Sequence, residues 1–573
     1  MKTVSAVWLH SQPKDRFWIV AIAFARLVLV SFDLAGLVLV GLVVSVVSGT
    51  TSTQGNLAGL ILTALKIEST TNGYAVLAAL AIGFFVLKGA LSAIMVWVTS
   101  GFLSRLESRH ANSVYVALLN GRVRENSLRS VSSTASALTD SMNSAVTRAL
   151  AATFSIADEG VLLIATATFL AITDVRLFFQ LLLFFGLLGL VMNFALGRVA
   201  KKAADTSQAK FERLQELVTV TLGNLRQISV SGRSRIFEHT FSLEHQGRTK
   251  ASGRYYAISA YPRFIVEVAV LLAASLLVVQ RSTSSSGGPS AAVIAVFLAG
   301  IFRIVAAMLP LQTSLTLLKR LDSEAMAAVA LIKWSREQRV VSVDDRFEQG
   351  LQQDLTLRFD SVQVVFEDAA LPVFKNLNLT IPFGQIVRIK GRSGVGKSTI
   401  ADLAVGALEP TSGAVKIGNQ PPKDFILKNP GAMAYVPQSV GLFSGTIRQN
   451  LLLSPEEHIP GLPSDLEILT HLKAVGLTPL VEGLKNGLDT LVGGEGLSLS
   501  GGQLQRFGLV RALLTKPKIL VADEITSALD KESGEAIQRL LNSLRGKCTV
   551  IVISHKDEEL IAFDQSIVIE AFG

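Results

Sequence analysis

At 573 residues, with 49% hydrophobic and only 17% charged side chains, the chain is too apolar to be soluble throughout and long enough for several domains. Its net charge of +9 comes from basic residues gathered between apolar runs, which fits membrane topology better than nucleic-acid binding. One cysteine, Cys548, leaves no internal disulfide framework and no cysteine metal cluster, and its apolar run suits a buried strand thiol.

Six apolar runs are long enough to cross a bilayer, at about 17–47, 74–102, 145–172, 177–196, 264–279 and 291–318. Lys14 and Arg16 precede a first run too long for a cleavable signal. Segments 1–16, 101–143 and 197–263 hold three, five and twelve Lys or Arg, whereas 48–73, 173–176 and 281–290 hold one each. The positive-inside rule therefore places both termini and the long basic connections in the cytoplasm of a multi-pass plasma (inner) membrane protein. Residues 201–228 carry a helical period, so the spans are expected to run on beyond the bilayer, turning back near 120–133 and 223–234.

Ionisable residues inside the runs are costly and are candidates for function: Arg26, Asp33, Lys88, Glu159, Glu267 and Arg303, with Arg263 at the cytoplasmic entrance. Two readings stay open. The charges pair with one another, or Arg26, Lys88 and Arg303 face a cavity that holds an anionic head group.

From about Asp344 the composition turns to mixed α/β. Runs 355–359, 362–366 and 373–381 read as strands, and Phe366 is placed either to stack on an adenine ring or to fill the core. Residues 385–390 alternate like a strand and lead into Gly391, Arg392, Ser393, Gly394, Val395, Gly396, Lys397 and Ser398, a complete G-x-x-x-x-G-K-[ST] phosphate loop. Its glycines let backbone N–H groups close on phosphates. Lys397 would reach the β- and γ-phosphates, and the Ser398 hydroxyl would ligate Mg²⁺. A helix over 397–405 would turn its positive end toward them.

Residues 519–522 form an apolar strand that ends in Asp523 and Glu524. Parallel α/β sheets bind ligands at strand C-termini, so Asp523 is a Mg²⁺ candidate and Glu524 the group that orients or deprotonates the attacking water. The run 549–554 ends beside His555, a candidate γ-phosphate contact. Leu499, Ser500, Gly501, Gly502 and Gln503 open a helical pattern and offer a second anion-binding helix start.

Together these motifs resemble the ATP-binding cassette of ABC transporters, and the order of six spans followed by a cassette resembles exporter half-transporters. The matches are Gly391 through Thr399 for the P-loop, Gln438 for the Q-loop and Leu499 through Gln503 for the signature. Asp523 and Glu524 match Walker B with its catalytic carboxylate, Ser527 through Asp530 the D-loop, and His555 the switch histidine. The resemblance implies an α-helical membrane domain (1–330), a linker (331–354) and an α/β P-loop cassette (355–573). It also implies ATP and Mg²⁺ as cofactors, with Gln438 serving both the metal and catalysis. Signature and P-loop meet across two subunits in that family, so a second copy of the chain is the expected partner, and Asp530 addresses the opposite site. Phe366 stands where the family usually has tyrosine. The function implied is ATP-driven export or flipping of an amphipathic or lipid-linked substrate, with a lipid-linked glycan or other anionic lipid as the candidate cargo. The stretch around Tyr261, Pro262, Arg263 and Glu267 is similar to bacterial lipid-linked oligosaccharide flippases. The alternatives are a multidrug or peptide exporter and a membrane-tethered regulatory ATPase.

Overall fold

The computed structural model describes residues 2–47, 71–120, 131–283, 291–337, 354–366, 371–392, 394–455, 461–494, 496–526, 529–554 and 560–569. It divides into two compact units, one of Met1–Tyr115 with Val131–Glu337 and one of Val116–Ser130 with Gln338–Gly573.

The helical unit contains α1 (Lys2–His10), α2 (Pro13–Val47), α3 (Thr71–Asn120), α4 (Ala149–Thr173) and α5 (Val175–Met192). It continues through α6 (Arg198–Gly223), α7 (Leu225–Val230), α8 (Ser234–Thr283), α9 (Ala291–Glu324) and α10 (Met326–Glu337). Five stretches among the described residues are long and apolar enough to cross a membrane: Ala79–Leu119, Thr134–Thr173, Val175–Gly223, Ser234–Leu276 and Val296–Asp322. The first expected run, 17–47, falls on α2, whose side chains over 37–47 lie outside the described residues.

The helices outrun the bilayer. α3 and α8 have 50 residues each, about 75 Å at 1.5 Å per residue against a hydrocarbon core of about 30 Å. The expected turn at 223–234 holds α7, entered at Asn224 and left at Gly232, whose φ of 68° only glycine adopts without strain. The other expected turn falls mostly on 121–130, outside the described residues. Leu170, Leu177, Leu181, Val266, Phe297 and Ile301 pack α4, α5, α8 and α9 into one apolar cluster. α10 runs past the expected boundary at 330, because Leu331 and Ile332 are buried.

The second unit is built on two main sheets. A three-stranded antiparallel sheet runs in the order β2 (Phe374–Ile381), β1 (Leu357–Val364), β4 (Ser412–Ile417). A five-stranded parallel sheet runs β10 (Gln565–Ile569), β3 (Ile386–Gly391), β9 (Thr549–Ile553), β8 (Ile519–Asp523), β5 (Met433–Val436). Strands β8 and β9 are buried at every position, as a sheet covered on both faces requires. The two strands expected over 355–366 are one strand. Ser361, at φ 49°, kinks β1, and its register against β2 and β4 shifts there. The remaining elements used below are α11 (Lys397–Ala404), α12 (Ile447–Leu452), α13 (Asp465–Ala474), α14 (Gly501–Leu513) and α15 (Lys531–Ser543).

Candidate functional site

Strand register assembles the site. Ile389 of β3 pairs with Ile553 of β9, and Ile553 pairs with Asp523 of β8. The chain therefore leaves β3 into the phosphate loop beside the carboxylate that ends β8. Gly394 and Gly396 take φ of 81° and 104°. A Cβ on Gly396 would also sit 2.5 Å from Val373 Cγ1, so both conformation and space demand glycine. α11 begins at Lys397, with Ser398 and Thr399 in its first turn, and Lys397 Nζ donates to the carbonyls of Gly391 and Arg392 at 2.9 Å each. Burial lowers the Lys397 ammonium from its ordinary range, while Glu524 and Asp523 raise it. Ser393 lies outside the described residues.

Ser398 Oγ donates to Asp523 Oδ2 at 3.5 Å. Two hard oxygen donors at one helix start fit Mg²⁺, which takes few protein ligands and completes its shell with water and phosphate oxygens. Burial, reinforced by the Glu524 carboxylate, pushes Asp523 up from the usual carboxylate range, and the Ser398 hydrogen bond and Lys397 oppose that. A cation in contact would resolve this cost. Among the described residues no cluster of three or more His, Cys, Asp or Glu is placed to hold a metal.

Glu524 has a left-handed backbone, φ 52°. Its N–H donates to the Ile553 carbonyl (2.9 Å), and its carboxylate accepts from Gln438 Nε2 at 2.8 Å. Gln438 and Glu524 are thus brought together as the motifs imply. His555, Ser527 and Ala528 lie outside the described residues; β9 ends at Ile553 and Ser554 is buried. Phe366 is half-buried against the core cluster shared by the two main sheets.

Ser500 caps α14. Its hydroxyl accepts from Gln503 N (3.3 Å) while Gln503 Oε1 accepts from Ser500 N (2.8 Å), a reciprocal capping box that presents Gly501 and Gly502 at the helix start. α14 packs on β5, α12 and α13. Among the described residues no hydrogen bond joins Ser500 through Gln503 to the P-loop. Asp530 caps α15 through Ser533 N (2.9 Å) and Ser533 Oγ (3.0 Å), which holds its carboxyl below the ordinary range.

Two contributors escape motif reading. Gln505, buried on α14, donates to the Glu524 carbonyl at 3.2 Å and ties the signature helix to the carboxylate's backbone. Tyr435 pairs with Val521, two residues before Asp523 and so on the same sheet face. Its phenol lies near Asp523, and burial beside Asp523 and Asp402 pushes it up to about 12. A buried glutamine in an apolar helix and a tyrosine three residues before Gln438 were the available signals.

In the helical unit, Arg26 donates to Asp158 Oδ2 through Nε (2.7 Å) and approaches it through a terminal nitrogen (2.5 Å). Asp33 accepts from both Lys88 and Arg303, the latter at 2.6 Å. The cations are therefore paired, and Asp158 is the partner that sequence reading passed over. Arg263 and Glu267 pair along one exposed helix face, 3.1 Å apart.

Phosphate loop, paired carboxylates and Q-loop glutamine at this sheet edge, with the capped glycine pair opening α14, have the layout of an ATP-binding cassette, in a chain that also holds five stretches, among the described residues, long and apolar enough to cross a membrane. Residues 374–527 match the family model described as ABC transporter. The chain is 37% identical over 213 residues to an ATP-dependent lipid A-core flippase of Mannheimia succiniciproducens, covering 37% of this chain and 36% of that one. It is 38% identical over 210 residues to the protein of the same description in Vibrio vulnificus (strain CMCP6), covering 36% and 35%. It thus spans about a third of the length of these curated relatives. The structure of a bacterial Atm1-family ABC exporter with ATP bound matches 97% of this chain and 93% of its own, at a TM-score of 0.68 and 19% identity. That match shows the fold: a unit of long apolar helices followed by an α/β P-loop unit.

Proposed function

We propose that two copies of this chain hydrolyse ATP to export or flip an amphipathic, lipid-linked substrate across the inner membrane. The convergence of Lys397, Ser398, Asp523, Glu524 and Gln438 at one sheet edge, while Ser500 through Gln503 open a separate helix, supports this reading above all. In it, the P-loop of one copy and the signature of the other close on ATP. Lys397 gives up its carbonyl partners to the β- and γ-phosphates, and Gly394 and Gly396 keep the backbone close. Ser398 and Asp523, with Gln438 nearby, would hold Mg²⁺, which when bound neutralises charge developing on the phosphate oxygens. Glu524 orients and deprotonates the attacking water once Gln438 releases it, and His555 addresses the γ-phosphate. Phe366 borders the base and Asp530 faces the opposite site. Both termini and the cassette lie in the cytoplasm, in keeping with the basic connections and the supply of ATP.

The two lipid A-core flippase relatives favour a lipid cargo. The pairing of Arg26, Lys88 and Arg303 means the head group meets a balanced set of charges rather than free cations. The same pairing is what an exporter of uncharged amphipathic compounds would show. The deciding experiment places the purified protein in vesicles carrying fluorescent lipid on one leaflet. ATP-dependent loss of dithionite-accessible signal is expected. Its absence in vesicles where ATP is hydrolysed refutes lipid flipping.

A further inference from the structure

We infer that the charged cavity between α2, α3, α4 and α9 binds a small head group carrying both a phosphate and a primary amine, a zwitterion rather than a plain anion. This rests on the transport reading above. The cavity, about 150 Å³, is lined by Arg26, Asp33, Lys88, Asp158, Glu159 and Arg303. That is below the roughly 300 Å³ of a site for a whole drug-sized ligand, so it admits a head group and leaves the tails outside.

The six charges balance in sum and not in place. Asp33 is shared by Lys88 and Arg303, so that trio carries two positive charges against one negative. Arg303 Nε is buried and, among the described residues, donates to nothing. That end of the cavity offers excess positive charge and an unused donor to a phosphate oxygen. Arg26 and Asp158 cancel each other. Glu159 lines the same cavity and has no cation within salt-bridge distance among the described residues, so its carboxylate is open to an ammonium. The left-over charges lie on two different groups of opposite sign, and a ligand with matching opposite charges satisfies both at once.

The test uses the full-length dimer in nanodiscs of phosphatidylcholine doped with phosphatidylethanolamine or phosphatidylglycerol. It reads stimulation of ATP hydrolysis together with the lipids retained on purification, counted by mass spectrometry. The wild type is expected to prefer the ethanolamine lipid by about tenfold, the ratio set by one charged hydrogen bond. Glu159→Gln should bring that ratio close to one, and Glu159→Asp, which keeps the charge, should restore most of it. Soluble phosphorylethanolamine should compete. Equal response to both lipids, an unchanged preference in Glu159→Gln, or a preference that phosphorylethanolamine does not compete would each overturn the assignment. A wild type that hydrolyses no ATP under any condition sinks the transport reading instead.

Discussion

Tyr435 shows how one side chain outside every motif can tune the site. Its phenol lies near Asp523, the carboxylate that Ser398 also touches. A metal-ligating carboxylate held by an outer partner typically loses 10- to 100-fold in affinity when that partner goes. Tyr435→Phe should therefore weaken Mn²⁺ binding, read by electron paramagnetic resonance in the presence of a non-hydrolysable ATP analogue, by about tenfold. Nucleotide binding in EDTA should stay as in the wild type, and an unchanged Mn²⁺ affinity would remove Tyr435 from the site. Cys548 offers a contrasting case. Burial pushes its thiol up to about 12, so the folded protein at pH 8 keeps it as the unreactive thiol. The unfolded chain, with an ordinary thiol, loses its proton first as pH rises above about 8.5, so this group's contribution to stability falls from there upward. Ellman's reagent should label Cys548 only after unfolding; rapid labelling of the native protein would contradict its burial.

Among the elements, α14 carries the heaviest local constraint. Its first turn opens on Gly501 and Gly502, which have no side chain to cap it, so the cap falls to Ser500 and its exchange with Gln503. Ser500→Ala should lower stability by about 1 kcal/mol. Denaturant unfolding followed by circular dichroism would read it, and a loss indistinguishable from zero would mean the cap bond is not formed in solution. What could be read from sequence at this scale follows from the same physics. Strands β8 and β9 are short apolar runs closed by polar residues, as buried parallel strands are, and β3 alternates up to the glycine that closes it. The kink in β1 was hidden because Ser361 carries no glycine to announce a positive φ. Asp158 was overlooked beside Glu159, since adjacent helical positions face about 100° apart and sequence alone does not say which one meets Arg26. Span ends were illegible for a different reason: α3 and α8 continue as helix beyond their apolar stretches, with no cap to mark the membrane surface.

At the scale of the whole molecule, the arrangement of the cassette has a consequence for stoichiometry. Within one chain Ser500 through Gln503 open α14, and the P-loop opens α11, with no hydrogen bond between them among the described residues. If the sites form only between two copies, each ATP is held by residues from both, and the two sites share one closing motion. Co-expressing differently tagged wild-type and Glu524→Gln chains in equal amounts yields about one quarter wild-type pairs, one half mixed pairs and one quarter variant pairs, given the two-fold symmetry. Glu524→Gln should keep ATP bound while stopping hydrolysis, because it removes the base and leaves the phosphate contacts in place. One blocked site then holds the mixed pair closed, and total ATPase activity should fall to about a quarter of the wild-type value if closure is shared. Independent sites would leave about half, each intact carboxylate turning over on its own. Purified mixed pairs, isolated through the two tags, make the distinction directly: near-zero turnover supports a common closed state, and half the wild-type rate sinks it.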